Sequence, residues 1–291
     1  STTYGVGLIG CGVISSVHFE ALKRVPNAKL IATCDIVEQR ARDSAEEYGA
    51  EAYYTNMDDL LARDDIDYVH ITTPSSHHHV ASIAASRAGK HSFVTKPIDV
   101  TLENIDAMIA AARENGVKLA AVHQFRAYAS YSALKKAVEE GRLGTIYYGN
   151  AFVPWWRAQE YYTDHWQGTW QWDGGGALMN QSVHWVDLLL WIMGEVESLG
   201  GYAATLAHNM ETEDIGSVAI QFRNGAHGVL QDRQGDIQAC RFRRHRFIGV
   251  MHFHPVVTRI RAGCVGNRQF RGIAAHGMGR VNAVVEPPHI G

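Results

Sequence analysis

The most constraining feature of the 291-residue sequence is a glycine-rich turn between a short apolar run and a helical stretch. Gly10, Gly12 and Ser15 follow the apolar residues 6–9, and the helical pattern begins at Val13. A glycine at 10 allows a tight turn, a glycine at 12 lets a ligand approach the backbone, and a small residue at 15 lets helix and strand pack closely. Such a turn directs N–H groups and the positive helix end at phosphates. The residues predicted to meet a dinucleotide are Gly10, Gly12, Val13 and Ile14.

A second apolar run supports this interpretation. It covers residues 28–34 and ends at Asp35, which lies 20 residues beyond Ser15 (35 − 15). In dinucleotide-binding folds an acid at this distance binds the adenosine ribose hydroxyls, and basic residues accommodate a 2′-phosphate. Ile36 and Val37 follow Asp35 instead of a basic pair. We therefore predict NAD as the cofactor, with NADP as the less favoured alternative.

Residues 1–123 alternate short apolar runs with helical stretches, which is typical of a doubly wound parallel sheet in an α/β domain. Predicted strands beyond the first two cover residues 68–72, 91–95 and 117–122, and predicted helices cover residues 80–88 and 102–115. We therefore predict an NAD-binding domain over residues 1–123.

Two loops of this domain follow strand ends, which is where ligands lie in doubly wound sheets. They contain Thr73-Pro74 and Thr95-Lys96-Pro97, and we predict that both loops face the cofactor. An isolated lysine is more often a solvated surface residue. The strand end before Lys96 and the proline after it, which stiffens the loop, favour a site residue.

The run His77-His78-His79 suggests a metal site at first sight. Three adjacent side chains diverge, however, and cannot easily complete one coordination sphere. We therefore predict no metal site and expect one of these histidines, His78, to face the cofactor.

Beyond residue 124 the composition changes, and residues 124–235 are predicted to form an α+β domain with a mostly antiparallel sheet. A helix is expected at residues 131–140, and strands are expected at residues 145–152, 196–206, 215–222 and 226–231. Asn224-Gly225 lies before the last strand and is a strong hairpin signal.

An aromatic-dense loop follows the first of these strands. Its aromatic members include Trp155, Trp156, Tyr161, Tyr162, Trp166, Trp170 and Trp172. Aromatic faces stack on the apolar faces of sugar rings, and Arg157 can bind a carboxylate or phosphate. A core built from tryptophans is the alternative, and both interpretations can hold. We predict that Arg157 and Trp166 bind substrate.

Three glycines, 174–176, precede a predicted helix over residues 177–193. Asn180, His184 and Asp187 fall at positions i, i+4 and i+7 and form a polar stripe on an otherwise apolar helix. Buried polar groups need partners. A single histidine there would usually be a satisfied core residue, but three polar residues in register indicate one wall of a site.

Composition excludes several classes of partner. The net charge of −3 argues against nucleic acid and against a membrane surface. The four cysteines show no metal-ligand or disulfide spacing, and no signal peptide or spanning apolar run is present. The expected location is the cytoplasm.

The assembled motifs resemble the glucose–fructose oxidoreductase/inositol dehydrogenase/rhizopine-catabolism (Gfo/Idh/MocA) family over about residues 6–234. The resemblance implies a Rossmann domain followed by an open, mostly antiparallel sheet, and it implies that Lys96 and His184 serve catalysis. The motifs that carry it are Gly10-Cys11-Gly12 with Asp35, Thr73-Pro74-Ser75-Ser76-His77-His78, Thr95-Lys96-Pro97, and Gly174-Gly175-Gly176-Ala177-Leu178 through His184 and Asp187.

Two positions depart from the family pattern. Thr95 replaces the usual glutamate, and Asn180 replaces the usual aspartate. With asparagine at this position, the sequence resembles the branch of the family that oxidises C3 of nucleotide-linked amino sugars. We predict an NAD-dependent dehydrogenase for a secondary alcohol of a sugar, polyol or nucleotide sugar.

In the predicted mechanism Lys96 holds and polarises the hydroxyl, His184 accepts its proton, and Asn180 positions histidine or substrate. Asp187 either orients His184, contacts substrate or makes a structural hydrogen bond. The alternatives are an NAD-dependent glycosidase that removes and returns a hydride, and a dinucleotide-binding metabolite sensor without turnover. The resemblance also suggests a homo-oligomer formed through the second sheet.

Residues 236–291 do not fit the family pattern, so the second sheet is expected to be incomplete. They contain nine arginines, no lysine and two acids, a net charge of +7 (9 − 2). The favoured hypothesis is an out-of-frame or otherwise foreign C-terminus, and the alternative is a basic arm for an acidic partner. Translation of the gene in the other two frames beyond codon 235 tests the out-of-frame hypothesis. Absence of a family-like continuation in those frames would refute a frameshift.

Overall fold

The computed structural model describes residues 2–163 and 165–234. The chain forms two compact units. Ser1–Gln124 and Thr169–Gly174 form the first unit, whereas Phe125–Gly168 and the described residues from Gly175 onward form the second. The return of residues 169–174 to the first unit was not predicted. The predicted basic tail, residues 236–291, lies outside the described residues.

The first unit contains a six-stranded sheet, and all of its strand pairs are parallel, as predicted for this domain. The strand order is β3-β2-β1-β4-β5-β6, so the chain reverses direction across the sheet next to β1. The strands are β1 (Tyr4–Ile9), β2 (Ala28–Cys34), β3 (Ala52–Tyr54), β4 (Tyr68–Ile71), β5 (His91–Val94) and β6 (Leu119–Ala121).

Five α-helices connect these strands. They are α1 (Ser15–Leu22), α2 (Glu38–Tyr48), α3 (Met57–Leu61), α4 (His78–Arg87) and α5 (Leu102–Glu114). The sequence did not indicate β3, α2 or α3. Strand β3 has only three residues, and α2 buries only Ala41 and Ala45, so neither presents an apolar period that could be recognised.

The second unit contains a four-stranded sheet in the order β7-β10-β9-β8. Strand β10 pairs in parallel with β7, and the other pairs are antiparallel, so the predicted mostly antiparallel sheet is confirmed. The elements are α6 (Ala129–Glu139), β7 (Tyr148–Pro154), α7 (Val183–Met193), β8 (Val196–Ala204), β9 (Ile215–Phe222) and β10 (His227–Arg233). Residues of β9 alternate between buried and exposed, because one face of the sheet packs on the helical layer.

The prediction of one regular helix over residues 177–193 was wrong in its first turns. Ala177–Gln181 form a π-helix, and α7 begins only at Val183. The amide of Ser182 donates to the carbonyl oxygen of Ala177, five residues earlier, at 2.8 Å. Regular α-helical spacing therefore does not apply between Asn180 and His184, and the predicted three-residue stripe is not a continuous α-helical face.

No helix in the described part of the chain combines the length and the apolar character that a membrane span requires.

Candidate active site

The turn after β1 depends on glycine at position 10. Gly10 has φ of +97°, and a Cβ there would lie 2.7 Å from the backbone nitrogen of Thr73. Its own amide donates to the Cys34 carbonyl oxygen at 2.8 Å. The hydroxyl of Thr72 donates to the Gly10 carbonyl oxygen at 2.5 Å. The glycine therefore brings the ends of β1, β2 and β4 together, and only a residue without a side chain fits.

Position 12 is different, because no heavy atom lies within 4 Å of a Cβ built there. Gly12 is exposed, and the side chain of the next residue, Val13, is 97% exposed. Ser15 is buried, and its hydroxyl donates to the Gly12 carbonyl oxygen at 2.6 Å. Nothing within the described protein excludes a side chain at 12. A molecule that approaches this backbone, as predicted for a pyrophosphate, would explain the glycine.

Asp35 lies at the end of β2 and holds two turns. Its Oδ2 accepts from the amide of Cys11 at 2.8 Å, and its Oδ1 accepts from the amide of Val37 at 2.9 Å. Each carboxylate oxygen can accept a further hydrogen bond, so ribose hydroxyls remain compatible partners. Ile36, which follows, is 91% exposed. Exposed apolar side chains on neighbouring loops suit an adenine ring, so Ile36 is a candidate contact that sequence reasoning did not name.

The loops after β4 and β5 lie side by side, because these strands pair with each other. Thr73 and Pro74 are half-buried, Thr95 is buried, and Lys96 is half-buried. The amide of Thr95 donates to the Ile71 carbonyl oxygen at 3.1 Å. The structure thus places the four predicted residues of these two loops at the carboxyl edge of the sheet, together with the turn around Gly10.

The three adjacent histidines have three different environments. His77 stacks on Trp172, with ring centroids 4.8 Å apart. The Nδ1 of His79 lies 3.0 Å from Oδ2 of Asp99. His78 is fully buried, and its ring nitrogens lie 2.9 Å from the carbonyl oxygens of Pro97 and Thr73. Within the described ranges, no group of three or more His, Cys, Asp or Glu residues is arranged to hold a metal ion.

His78 therefore lies between two loops. Burial lowers the pKa of His78, and a neutral imidazole has one N–H, so the ring donates to one of its two carbonyl partners. A side chain with no exposed surface presents no atom to a dinucleotide in this arrangement of the loops. The cofactor contact of His78 stays a prediction that this burial does not support; in the structure His78 lies against the loop that carries Lys96.

His184 and Asp187 lie near the start of α7, and both are buried. The ring of His184 stacks on Phe125, with centroids 4.8 Å apart. Asp187 forms a two-point ion pair with Arg126, in which Nε donates to Oδ2 at 2.6 Å and a terminal nitrogen donates to Oδ1. The structure thus assigns Asp187 to an ion pair. Its predicted substrate contact stays a prediction that this geometry does not support.

Phe125 and Arg126 are residues that sequence reasoning missed. They follow the last strand of the first sheet in the chain and belong to the second unit. A buried carboxylate such as that of Asp187 needs a cation, so the sequence did contain a signal that one was missing. Nothing in the spacing indicated which of the arginines would supply it.

Arg157 is the predicted substrate-binding residue with the best-defined surroundings. Its guanidinium lies 4.8 Å from the ring centroid of Trp155 and 5.0 Å from that of Tyr161. A terminal nitrogen donates to Oε1 of Gln181 at 3.1 Å. Gln181 is buried at the end of the π-helix, directly after Asn180. The arginine therefore lies beside the segment that carries Asn180.

The aromatic loop is not simply a tryptophan core. Trp155, Trp156 and Trp170 are 41%, 57% and 55% exposed, and Trp166 is half-buried. Large exposed aromatic surfaces are typical of binding regions. Lys96 belongs to the first unit, whereas Asn180 and His184 belong to the second, so their joint action on one substrate stays a prediction.

Comparison with known proteins identifies relatives of both halves of the chain. Residues 4–123 match the model of the GFO/IDH/MocA oxidoreductase family, NAD-binding Rossmann fold. Residues 131–242 match the model of the GFO/IDH/MocA C-terminal domain, which ends within the predicted atypical tail. The WlbA dehydrogenase from Bordetella pertussis, crystallised with NADH and UDP-GlcNAcA, is 38% identical with a TM-score of 0.77. That match covers 81% of this chain and 72% of WlbA.

The names of the curated relatives indicate that these proteins act on sugars and polyols. The 1,5-anhydro-D-fructose reductase of Ensifer adhaerens is 31% identical over 193 residues, 65% of this chain and 56% of the reductase. The myo-inositol 2-dehydrogenase of Thermotoga maritima is 29% identical over 238 residues, 78% of this chain and 67% of that enzyme. The chain therefore spans 56% to 67% of the length of these relatives.

The family description and the NADH complex confirm the prediction of NAD as the cofactor. The fold, the two matched domain models and the solved relative at 38% identity agree. The chain belongs to the GFO/IDH/MocA oxidoreductase family.

Proposed function

We propose that this chain is an NAD-dependent dehydrogenase that oxidises a secondary alcohol of a sugar, with a nucleotide sugar as the favoured substrate class. The observation that carries the proposal is the grouping of Arg157, Gln181 and Asn180 next to exposed aromatic rings. A cation held between aromatic rings suits a sugar derivative that bears a carboxylate or a phosphate. The WlbA complex with UDP-GlcNAcA supports the same substrate class.

The first unit would bind the cofactor through the turn around Gly12, the carboxylate of Asp35 and the apolar side chains of Val13 and Ile36. NAD, when bound, supplies the hydride acceptor. The loop that carries Lys96 lies at the carboxyl edge of the sheet, where ligands bind in such folds. Lys96 would hold the reacting hydroxyl through its ammonium group and so favour the loss of the hydroxyl proton.

The second unit would supply the proton acceptor and the substrate contacts. We assign the proton of the hydroxyl to His184, because a base within hydrogen-bond reach is needed when an alcohol loses hydride. The stack on Phe125 holds the orientation of the ring. The ion pair of Arg126 with Asp187 holds the helix turn below it. Asn180 would orient the substrate, since an amide offers both a donor and an acceptor.

A substrate screen with the full chain tests this proposal. Nucleotide sugars including UDP-GlcNAcA, free sugars and inositols are incubated with NAD, and NADH formation is followed by absorbance. Stoichiometric NADH with at least one nucleotide sugar is expected. Glycoside cleavage without accumulation of NADH would instead identify the hydride-returning glycosidase. Tight NAD binding with no turnover of any compound would identify a metabolite sensor.

A further inference from the structure

Two carboxylates, one just before β9 and one in β10, contact the two ends of the π-helix Ala177–Gln181. Glu213, just before β9, accepts from the amides of Gly176 and Leu178 through Oε1, at 3.0 Å each. Its carbonyl oxygen also accepts from the amide of Ala177 at 2.8 Å. Asp232 of β10 accepts from the hydroxyl of Ser182. One carboxylate therefore meets the first turn of the π-helix, and the other meets the residue that follows its last turn.

Ser182 is the residue at which the wide π turn changes into a regular α-helix. Its amide donates to the Ala177 carbonyl oxygen, five residues earlier, and its carbonyl oxygen accepts from the amides of Trp185 and Val186 at 2.8 Å. The π-helix is rare and tends to occur as a single turn at functional sites. Asn180 precedes Ser182 in the chain and His184 follows it. A hydrogen bond to the Ser182 side chain therefore anchors the junction between these two residues.

The environment of Asp232 does not favour a purely stabilising role. Asp232 is 2% exposed, and its Oδ1 has no hydrogen-bond partner among the described residues. Burial raises the pKa of Asp232 to about 7; the bond from Ser182 opposes the rise, and the nearby charge of Glu213 adds to it. An acid whose pKa is higher in the folded chain stabilises that state only while protonated, and the effect is lost as the pH rises through the folded pKa. As the pH rises above about 7, Asp232 ionises and this stabilisation is lost. Groups with a functional role often lower stability in this way.

We propose that Asp232 is a positioning residue that, through the hydroxyl of Ser182, holds the junction between the π-helix and α7 and so sets the placement of Asn180 relative to His184. The inference rests on the proposed function, in which these two residues act on substrate. Asp232 itself touches neither substrate nor cofactor in this account. Asp232 contributes an oxygen that accepts the hydrogen bond of the Ser182 hydroxyl. The side-chain oxygen of an asparagine can accept the same bond.

Four variants and a control separate this role from general stability. Ser182→Ala removes the donor, Asp232→Val removes the acceptor, and Asp232→Asn keeps an acceptor oxygen in the same volume. Misplacement of reacting groups by a fraction of an ångström is expected to lower kcat about tenfold or more in the first two variants, with the Kd for NAD unchanged. Asp232→Asn should keep kcat within about threefold of the unaltered chain. The double variant Ser182→Ala/Asp232→Val should be no slower than the slower single variant, because both remove one interaction.

The matched control is Ser86→Ala, which deletes an equally buried serine hydroxyl from α4 of the first unit. It should leave kcat unchanged. If Asp232→Val does not fold, Ser182→Ala gives the same comparison by removing a single oxygen atom. Circular dichroism of each variant checks the fold.

A second readout does not depend on turnover. The ring of His184 stacks on Phe125 at 4.8 Å, so its proton resonances carry a ring-current shift that reports their relative placement. In histidine-labelled protein without cofactor, Ser182→Ala and Asp232→Val should move the His184 resonances, whereas Asp232→Asn and Ser86→Ala should not. If the unaltered chain oxidises no sugar, the proposed function fails and these resonances alone decide the inference. Unmoved His184 resonances, or an unchanged kcat in both Ser182→Ala and Asp232→Val, would overturn it.

Discussion

The two regions that carry the predicted site residues are built in different ways. At the carboxyl edge of the first sheet, backbone geometry places the residues: strands end together, Gly10 closes the turn against Thr73, and the loops leave in parallel. In the second unit, side chains from distant parts of the chain hold the residues: Glu213 and Asp232 hold the π-helix. The first kind of site is indicated by local sequence patterns, and the second is not.

The largest expected effect concerns chemistry in the first region. Lys96→Ala should lower turnover about a thousandfold, since a positioned acid–base or polarising group contributes factors of this order. The Kd for NAD and the thermal midpoint should stay close to those of the unaltered chain, because the loop is placed by backbone geometry. Lys29→Ala, which alters a surface lysine whose side chain is 59% exposed, is the control. Steady-state kinetics with unchanged turnover would remove Lys96 from the mechanism.

Substitutions at two glycines should distinguish a glycine that the fold requires from a glycine that ligand binding requires. A Cβ at Gly176 would lie 1.9 Å from the Glu213 carbonyl oxygen, so Gly176→Ala must displace the start of the π-helix. We expect a loss of about 2–4 kcal/mol in the free energy of unfolding, measured in urea. A Cβ at Gly12 meets nothing, so Gly12→Ala should cost less than about 0.5 kcal/mol yet weaken NAD binding. Equal destabilisation by the two substitutions would contradict this contrast.

The ion pair between Arg126 and Asp187 should contribute less to the free energy of unfolding than the close packing at Gly176. Asp187→Asn leaves the guanidinium of Arg126 without its counter-ion, and Arg126 is partly exposed, so a loss of about 1–3 kcal/mol in unfolding free energy is expected. The control is Glu195→Gln, which breaks the exposed pair with Arg223 and should cost about 0–1 kcal/mol. Chemical denaturation of both variants gives the comparison. A loss no larger in Asp187→Asn than in the control would show that the pair does not support α7.

The smallest expected effect is on the pH dependence of stability, and it concerns two buried histidines of the first unit. His18 of α1 and His70 of β4 are buried with their Nδ1 atoms 3.0 Å apart. Burial, and to a lesser extent His18, lowers the pKa of His70 to about 3. Burial also lowers the pKa of His18. Because the unfolded chain takes up protons near pH 6.5 and the folded chain does not, stability is fully present above that pH and is lost as the pH falls toward 3.

His70→Phe should reduce this dependence. Relative to its effect at pH 8, the substitution should be more favourable at pH 5 by about 1–2 kcal/mol, because one buried site no longer resists protonation. Urea unfolding at the two pH values measures the difference. An identical effect of the substitution at both values would show that His70 is not held neutral in the folded chain.

The sequence predicted most of the first region, and the reason is physical. Strand ends, glycine turns and an acid 20 residues on are local features with a period or a spacing, and Ile215–Phe222 of the second sheet was likewise located by strict alternation. The burial of His78 was missed, because only the folded loops show that the carbonyl oxygens of Thr73 and Pro97 flank its ring.

The π-helix was the main failure in the second region. Its residues, Ala177–Gln181, are compatible with a regular helix, and the extra residue per turn is set by contacts with Glu213 and Asp232, which lie more than 30 positions later in the chain. The partner of Asp187, Arg126, is 61 positions away. Pairings of this kind leave no local pattern, so a sequence can indicate that a partner is needed without indicating which residue it is.

The proposed hydride transfer is tested most directly by isotope labelling. The full chain is incubated with NAD and UDP-GlcNAcA deuterated at its sugar ring carbons, and the nicotinamide product is examined by proton NMR and mass spectrometry. We expect NADH that carries one deuterium at C4 of the nicotinamide, in an amount equal to the ketone formed. Ketone without deuterated NADH, or no NADH from this compound or from any labelled sugar of the screen, would contradict it.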